Sequence, residues 1–331
     1  MSAMIWVQFL LSSLVIVLAA TQLAKYGDVI AIRTRLGGMF IGILLLAGAT
    51  SLPEVLTSIN SLSLGEPNLA AGNLLGSNMF NMFLLAILDM VHRKQRLLRK
   101  AALKHALTGS LTMMMIGLVV FFQLANIDVK IGWIGLDSLI IIAVYGVAIR
   151  LIQSNPVVPA APAVEQELPE GLPSLRRGVI GFLLAAGVLV LITPMMVSSS
   201  AEIAEITGLG TTFVGTALVA LVTSLPELVT TLAAARLGAD DMAIGNLFGS
   251  NMFNMFALGL TDVFYTQGRF FTVIDPSFML VGMLGLIMTG MALVGNLARL
   301  ERRILWVELD ALALALMYFG GMWFLYSRGA G

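Results

Sequence analysis

Cysteine is absent from the 331 residues, histidine occurs only twice, and charged residues make up 11% of the chain. The first absence removes disulfides, thiolate metal sites and cysteine nucleophiles, and leaves the redox compartment undetermined. His92 and His105 flank a basic loop with no acidic or serine partner beside them, so they form no catalytic dyad. No Ser–His pair or zinc motif lies within the apolar stretches, which argues against an intramembrane hydrolase. We therefore expect a protein that is not an enzyme and carries no cofactor. The formal net charge is zero, so nothing in the composition calls for nucleic acid or another strongly charged partner. Protein partners are not legible.

A soluble domain of this length carries about 25% charged residues. Here 58% of residues are hydrophobic, and they fall in blocks long enough to span a bilayer at about 20 residues each. Ten blocks lie near 4–24, 37–63, 67–91, 103–124, 131–152, 178–199, 210–236, 239–263, 273–297 and 304–326. Lipid offers the backbone no hydrogen bonds, so these blocks are expected to be helices. The polar stretch 153–177, rich in Pro, Ala and Glu, reads as an extended linker between 1–152 and 178–331. The first block lacks a basic leader and has a counterpart in mid-chain, so it reads as a retained helix rather than a signal peptide. The twenty methionines read as core filler rather than copper ligands.

The chain repeats itself at an interval of 173 residues. Residues 42–83 align with 215–256 without a gap, with 23 identities in 42 positions. The register continues through Asp89/Asp262, Trp133/Trp306, Asp137/Asp310 and Tyr145/Tyr318. Each half then holds five helices, and an odd number makes the second copy enter from the opposite side. The expected fold is an all-α membrane protein of ten helices in two inverted five-helix repeats. Charge placement agrees. With the N-terminus outside, 16 of the 19 Lys and Arg residues fall in or beside inside loops, the exceptions being Lys130, Arg269 and Arg328. Both termini are therefore expected to be extracytoplasmic. Asp89, Asp137, Asp262 and Asp310, near block ends, are expected to be solvated by water or headgroups.

The segments Thr50-Ser51-Leu52-Pro53-Glu54 and Thr223-Ser224-Leu225-Pro226-Glu227 fall near the middle of apolar blocks. A carboxylate there costs about 2.5–3.5 kcal/mol on insertion scales, so two at matching positions point to ion binding. Pro53 and Pro226 each lack an N–H and free the carbonyl four residues back. Carboxylate, carbonyl and hydroxyl oxygens together suit a hard cation. A second pair of segments begins Gly72-Asn73 and Gly245-Asn246. Asn73, Ser77 and Asn81 share one helix face at a spacing of four, as do Asn246, Ser250 and Asn254. The glycines permit close helix approach, and Asn73 and Asn246 have an equal claim as helix-to-helix ties.

These paired segments resemble the two alpha-repeats of the cation/calcium antiporter superfamily, in its sodium/calcium exchanger branch, and the likeness covers nearly the whole chain. The resemblance implies Na⁺/Ca²⁺ antiport by alternating access, in a prokaryotic cell membrane, with Ca²⁺ and Na⁺ as substrates. It also implies roles. Glu54 and Glu227 would bind Ca²⁺ with the carbonyls of Thr50 and Thr223. Na⁺ positions would use the Ala47 and Ala220 carbonyls, Ser77 and Ser250. Asn81 and Asn254 would line the centre, and Ser51 and Ser224 would support the acids. Some family members carry Asp at the position of Asn254, and its absence argues against potassium co-transport. The alternative is H⁺/Ca²⁺ exchange by the same glutamates, although that branch usually places acidic or histidine residues where this chain has Gly-Ser-Asn-Met-Phe-Asn twice. A channel would differ in showing unsaturable flux.

Overall fold

The structure is a computed structural model that describes residues 2–34, 47–91, 102–154, 171–236, 240–298, 303–304 and 307–329. Their helices are α1 (Ser2–Thr34), α2 (Leu52–Ser63), α3 (Pro67–Val91), α4 (Ala102–Ala125), α5 (Leu136–Gln153), α6 (Leu175–Thr207), α7 (Gly210–Val214), α8 (Ala220–Thr223), α9 (Leu225–Arg236), α10 (Asp240–Phe264), α11 (Phe270–Val273), α12 (Phe278–Ala298) and α13 (Leu309–Gly329). A π-helical turn, Gly215–Val219, joins α7 to α8. Among the described residues, six helices are long and apolar enough to cross a membrane. The bent pair Gly210–Thr223 and Leu225–Arg236, meeting at 40°, makes a seventh if taken as one span.

The interval of 173 survives in the element boundaries. Displaced by that number, α1, α2 and α3 coincide with α6, α9 and α10 at both ends, and α5 begins where α13 begins. Both α1 and α6 are 33 residues long, about 50 Å at 1.5 Å per residue, and so exceed their apolar blocks. The N-terminal end of α6 absorbs Leu175–Arg177 from the expected linker. At the far end of α1, Arg33 donates from Nε to Pro173 O at 2.9 Å and from Nη2 to Leu172 O at 2.6 Å, so the basic end of one half is held by the start of the other.

Two short antiparallel hairpins correct the all-α expectation: β1 (Lys130–Ile131) with β2 (Ile134–Gly135), and β3 (Arg303–Ile304) with β4 (Val307–Glu308). In the first, Gly132 turns the chain at φ +67°, a conformation open to glycine.

The central layer is α3 and α10, packed on each other and on α4, α5, α12 and α13 around the larger hydrophobic core. A second core joins α1 and α6 to Leu69, Val214, Val219 and Val222. The apolar stretch of α3 is 89% buried and that of α6 only 22%, which places α3 at the centre and α6 against lipid. Leu183, Leu184 and Leu191 are among its exposed side chains. Since lipid is as apolar as leucine, close contact rather than burial holds such helices together. Gly72 shows it: a Cβ there would stand 2.8 Å from the Thr216 backbone nitrogen and 2.9 Å from the Gly215 carbonyl carbon.

The expectation for the aspartates fails at three positions: Asp89 is buried and has a partner in the protein, and the other two are closed off further. Asp137 and Asp262 are fully buried and satisfied by protein. Asp137 pairs with Arg269 at 2.7 Å, and Asp262 accepts from the backbone N–H groups of Gly135 and Phe270. The hairpin and the turn after α10 fold over these helix ends and take the place of water. Asp310 is partly exposed, with Ala311 N donating to its Oδ1.

Candidate cation site

Each broken helix parts at a serine. Ser51 has φ −87° and ψ 6°, and Ser224 has φ −89° and ψ 3°. Pro53 and Pro226 lie at the second position of the helices that follow, where a missing N–H costs least. The bonds across the first break run from Ser51 N to Ala47 O (2.9 Å) and from Val55 N to Ser51 O (3.2 Å). Those across the second run from Ser224 N to Ala220 O (3.1 Å) and from Leu228 N to Ser224 O (3.2 Å). Among the described residues, no such bond ends on the carbonyl of Thr50 or Thr223.

The breaks place Glu54 and Glu227 at the first turns of α2 and α9, both fully buried. Their partners cross between the halves. Ser51 Oγ donates to Glu227 Oε1 at 3.0 Å, and Ser224 Oγ donates to Glu54 Oε1 at 3.1 Å. Ser250 Oγ stands 3.5 Å from Glu227 Oε1. The supporting role expected of Ser51 and Ser224 thus has its geometry, though each serves the glutamate of the opposite repeat.

The second oxygen of each carboxylate, Oε2, is buried and accepts no hydrogen bond among the described residues. The same holds for Ser77 Oγ, Asn81 Oδ1 and Asn254 Oδ1. A buried polar atom without a partner costs about 1–3 kcal/mol, so five such oxygens on the faces named by the sequence require an explanation. Oxygen donors with two carboxylates among them are the set a hard cation takes. Ala47 and Ala220 have a different standing. Each carbonyl accepts the serine N–H above and also a threonine hydroxyl, Thr50 to Ala47 O at 3.1 Å and Thr223 to Ala220 O at 3.3 Å.

Asn73 ties helices together. Its Nδ2 donates to Glu54 O (2.9 Å) and Ser58 Oγ (3.0 Å), and its Oδ1 accepts from Thr223 Oγ1 (2.8 Å). Asn246 donates to Thr230 and Thr231 at 3.3 and 3.2 Å. Sequence reasoning passed over Asn78 and Asn251, which stand one residue off the stripe of four. Both are buried. Asn81 Nδ2 donates to Asn251 Oδ1 at 2.9 Å, and Asn254 Nδ2 donates to Asn78 Oδ1 at 3.2 Å. The signal available was their place in both copies of the motif. A separate cavity of 340 Å³, lined by Glu66, Glu202, Glu205 and Thr211 among others, opens beside the C-terminal end of α6.

Two matched sets of broken helices, carrying buried carboxylates where two repeats meet, are the build of secondary transporters. A family model described as sodium/calcium exchanger protein matches residues 4–152 and 177–327, and the chain belongs to that family. It is similar to CaxA of Alkalimonas amylolytica, named as an antiporter, with 26% identity over 329 residues, 96% of this chain and 98% of that protein. The structure of the H⁺/Ca²⁺ exchanger CAX superposes with a TM-score of 0.70 at 15% identity, over 98% of this chain and 85% of that one. That of the sodium-calcium exchanger NCX_Mj gives 0.59 at 20% identity, over 96% and 97%. At these identities the two solved structures establish the shared fold.

Proposed function

We propose that the chain exchanges Na⁺ for Ca²⁺ across a prokaryotic cell membrane by alternating access, with ten helices in two inverted five-helix repeats and both termini extracytoplasmic. The observation that carries the reading is the cross-paired carboxylates. Glu54 and Glu227 each give one oxygen to a serine of the other half and keep Oε2 for a cation, beside the unpartnered oxygens of Ser77, Asn81 and Asn254. Ca²⁺ would sit between the two acids, with the carbonyls of Thr50 and Thr223 within the broken segments. Na⁺ would be held by the flanking hydroxyls of Ser77 and Ser250. Ala47 and Ala220 would join only after giving up a hydrogen bond.

Coupling to Na⁺ is supported by the neutral motif. The stripes on α3 and α10 carry amides and hydroxyls and no acid or histidine that would relay a proton. A second reading, H⁺/Ca²⁺ exchange, is favoured by the same free Oε2 atoms, since a buried carboxylate can hold a proton as readily as a metal. Uptake of radiolabelled calcium into proteoliposomes decides between them. A Na⁺ gradient is expected to drive it, and a pH gradient alone is not. Uptake driven only by pH would replace the first reading with the second. The topology is tested in the cysteine-free chain with single cysteines: one at position 131 should label from outside intact cells, and one at position 96 should not.

A further inference from the structure

Asn81 and Asn254 occupy matching places in the repeat, and each offers the centre one end of a carboxamide. An amide end is either an acceptor oxygen or a donor NH₂, so its orientation decides whether the side chain attracts a cation or repels it. For Asn81 the orientation follows from an atom that cannot turn. The backbone carbonyl of Asn78 accepts from Asn251 Nδ2 at 3.2 Å. A carbonyl takes only a donor, so Asn251 must direct its NH₂ there and its Oδ1 the other way. That Oδ1 accepts from Asn81 Nδ2 at 2.9 Å, which leaves Asn81 Oδ1 as the end without a partner.

The matching chain in the other half is incomplete. Asn254 Nδ2 donates to Asn78 Oδ1 at 3.2 Å, but Asn78 Nδ2 has no partner among the described residues. If Asn78 and Asn254 both reversed, they would keep a hydrogen bond between them and present NH₂ to the centre instead of oxygen.

We propose that Asn251 is a positioning residue that fixes the Asn81 carboxamide with its oxygen toward the cation, while the Asn254 carboxamide remains reversible. The proposal rests on the reading of these oxygens as the cation site. It makes the two central amides unequal: Asn81 is a standing acceptor, and Asn254 becomes one only when its pair with Asn78 is turned the right way.

A double-mutant cycle on the purified full-length protein, read as equilibrium binding of radiolabelled Ca²⁺ without Na⁺, tests this. Asn251→Leu is expected to weaken binding by about tenfold or more, the loss a misdirected amide should bring. In an Asn81→Ala background the same change should cost less than about twofold, because Asn251 acts through Asn81. Should the leucine variant fail to fold, Asn251→Ala is read in the same two backgrounds. Equal losses with and without Asn81 would mark a structural role and overturn the proposal, as would unchanged affinity in Asn251→Leu. Glu54→Gln is measured alongside. If it leaves Ca²⁺ binding intact, the site reading itself has failed; if it abolishes binding while the cycle shows no coupling, only the role of Asn251 has.

Discussion

In the first half of the site Asn73 makes three hydrogen bonds, to Glu54 O, Ser58 Oγ and Thr223 Oγ1. At the matching place in the second half Asn246 donates to Thr230 and Thr231, and its Oδ1 is buried without a partner among the described residues. Thr50 bonds Ala47 O as its counterpart Thr223 bonds Ala220 O, but Thr223 alone reaches the asparagine of the facing repeat. The same residues at the same spacing therefore hold two different arrangements at once. On the proposed alternating-access reading such a difference is expected, because two repeats that open to one side at a time differ in any single conformation and exchange their roles in the next. By contrast, the cross-pairing of Ser51 with Glu227 and of Ser224 with Glu54 is alike in both copies to within 0.1 Å. The serine–glutamate cross-pairs keep the symmetry, whereas the asparagine–threonine ties do not, nor do the hydroxyls of Ser250, 3.5 Å from Glu227 Oε1, and Ser77, which has no partner among the described residues.

The sharpest test of that symmetric part is to remove one acid at a time. Glu54→Gln and Glu227→Gln should each abolish calcium transport in proteoliposomes while leaving the purified protein folded. The amide keeps the shape and removes the charge that balances a divalent ion. Wild-type flux in either variant would break the equivalence of the two acids.

Outside the site, the pair Arg269–Asp137 has both side chains almost fully buried. Removing one partner of a buried pair costs about 3–5 kcal/mol, and Arg269 keeps only the exposed Asp128, at 3.5 Å, as a second carboxylate. Asp137→Asn, which keeps an acceptor for the guanidinium, should lie at the lower end, about 3 kcal/mol of thermal stability. An unchanged melting temperature would mean that water, not Arg269, satisfies Asp137.

That pair also shows where the sequence stops being informative. Hydropathy placed Asp137 and Asp262 near block ends and left them to water, because it carries no record of the hairpin at 130–135 that folds over them. It ended the first helix near residue 24 because Lys25, Asp28 and Arg33 lower the average, yet the helical ladder runs on to Thr34, with Arg33 held by the carbonyls of Leu172 and Pro173. The repeat was legible throughout, since 23 identities in 42 positions leave little room for another register, and the element boundaries fall on it. Glu54, Glu227 and the stripes through Ser77 and Ser250 were legible as well, because polarity in an apolar block is a signal in itself. The polarity of an amide is not: it depends on which atom of the opposite helix it meets, as Asn78 and Asn251 show.

Charge movement follows from the number of acids. On the proposed site the centre would hold two carboxylates, Glu54 and Glu227, and neutral amides at Asn81 and Asn254. One Ca²⁺ balances them, and so do two Na⁺. A third Na⁺, which the resemblance to sodium/calcium exchangers favours, would leave one positive charge on the loaded site. Exchange should then carry one net charge per cycle. A potential of 100 mV is worth about 2.3 kcal/mol per charge, roughly a fiftyfold change in the calcium gradient sustained. Proteoliposomes clamped with potassium and valinomycin measure it. A gradient indifferent to voltage would favour two sodium ions, or protons in their place.

The smallest effect bears most directly on the difference between the halves. Asn73→Ala removes three hydrogen bonds and Asn246→Ala two weaker ones, at a net worth of about 1 kcal/mol for a typical bond. Part of the first loss is recovered, since the Thr223 hydroxyl can fall back on Val219 O at 3.2 Å or Ala220 O at 3.3 Å. Asn246→Ala is cushioned further, because it also removes an Oδ1 that has no partner, and a buried orphan is itself unfavourable. Asn73→Ala should therefore be the more destabilising by about 1 kcal/mol, some 2 °C in melting temperature for a chain of this size, measured in detergent by tryptophan fluorescence. The order carries more than the size. If the ties exchange between the copies when the protein opens to the other side, conditions that hold the opposite conformation should reverse it. Equal losses under every condition would mean that the asymmetry of Asn73 and Asn246 plays no part in the transport cycle.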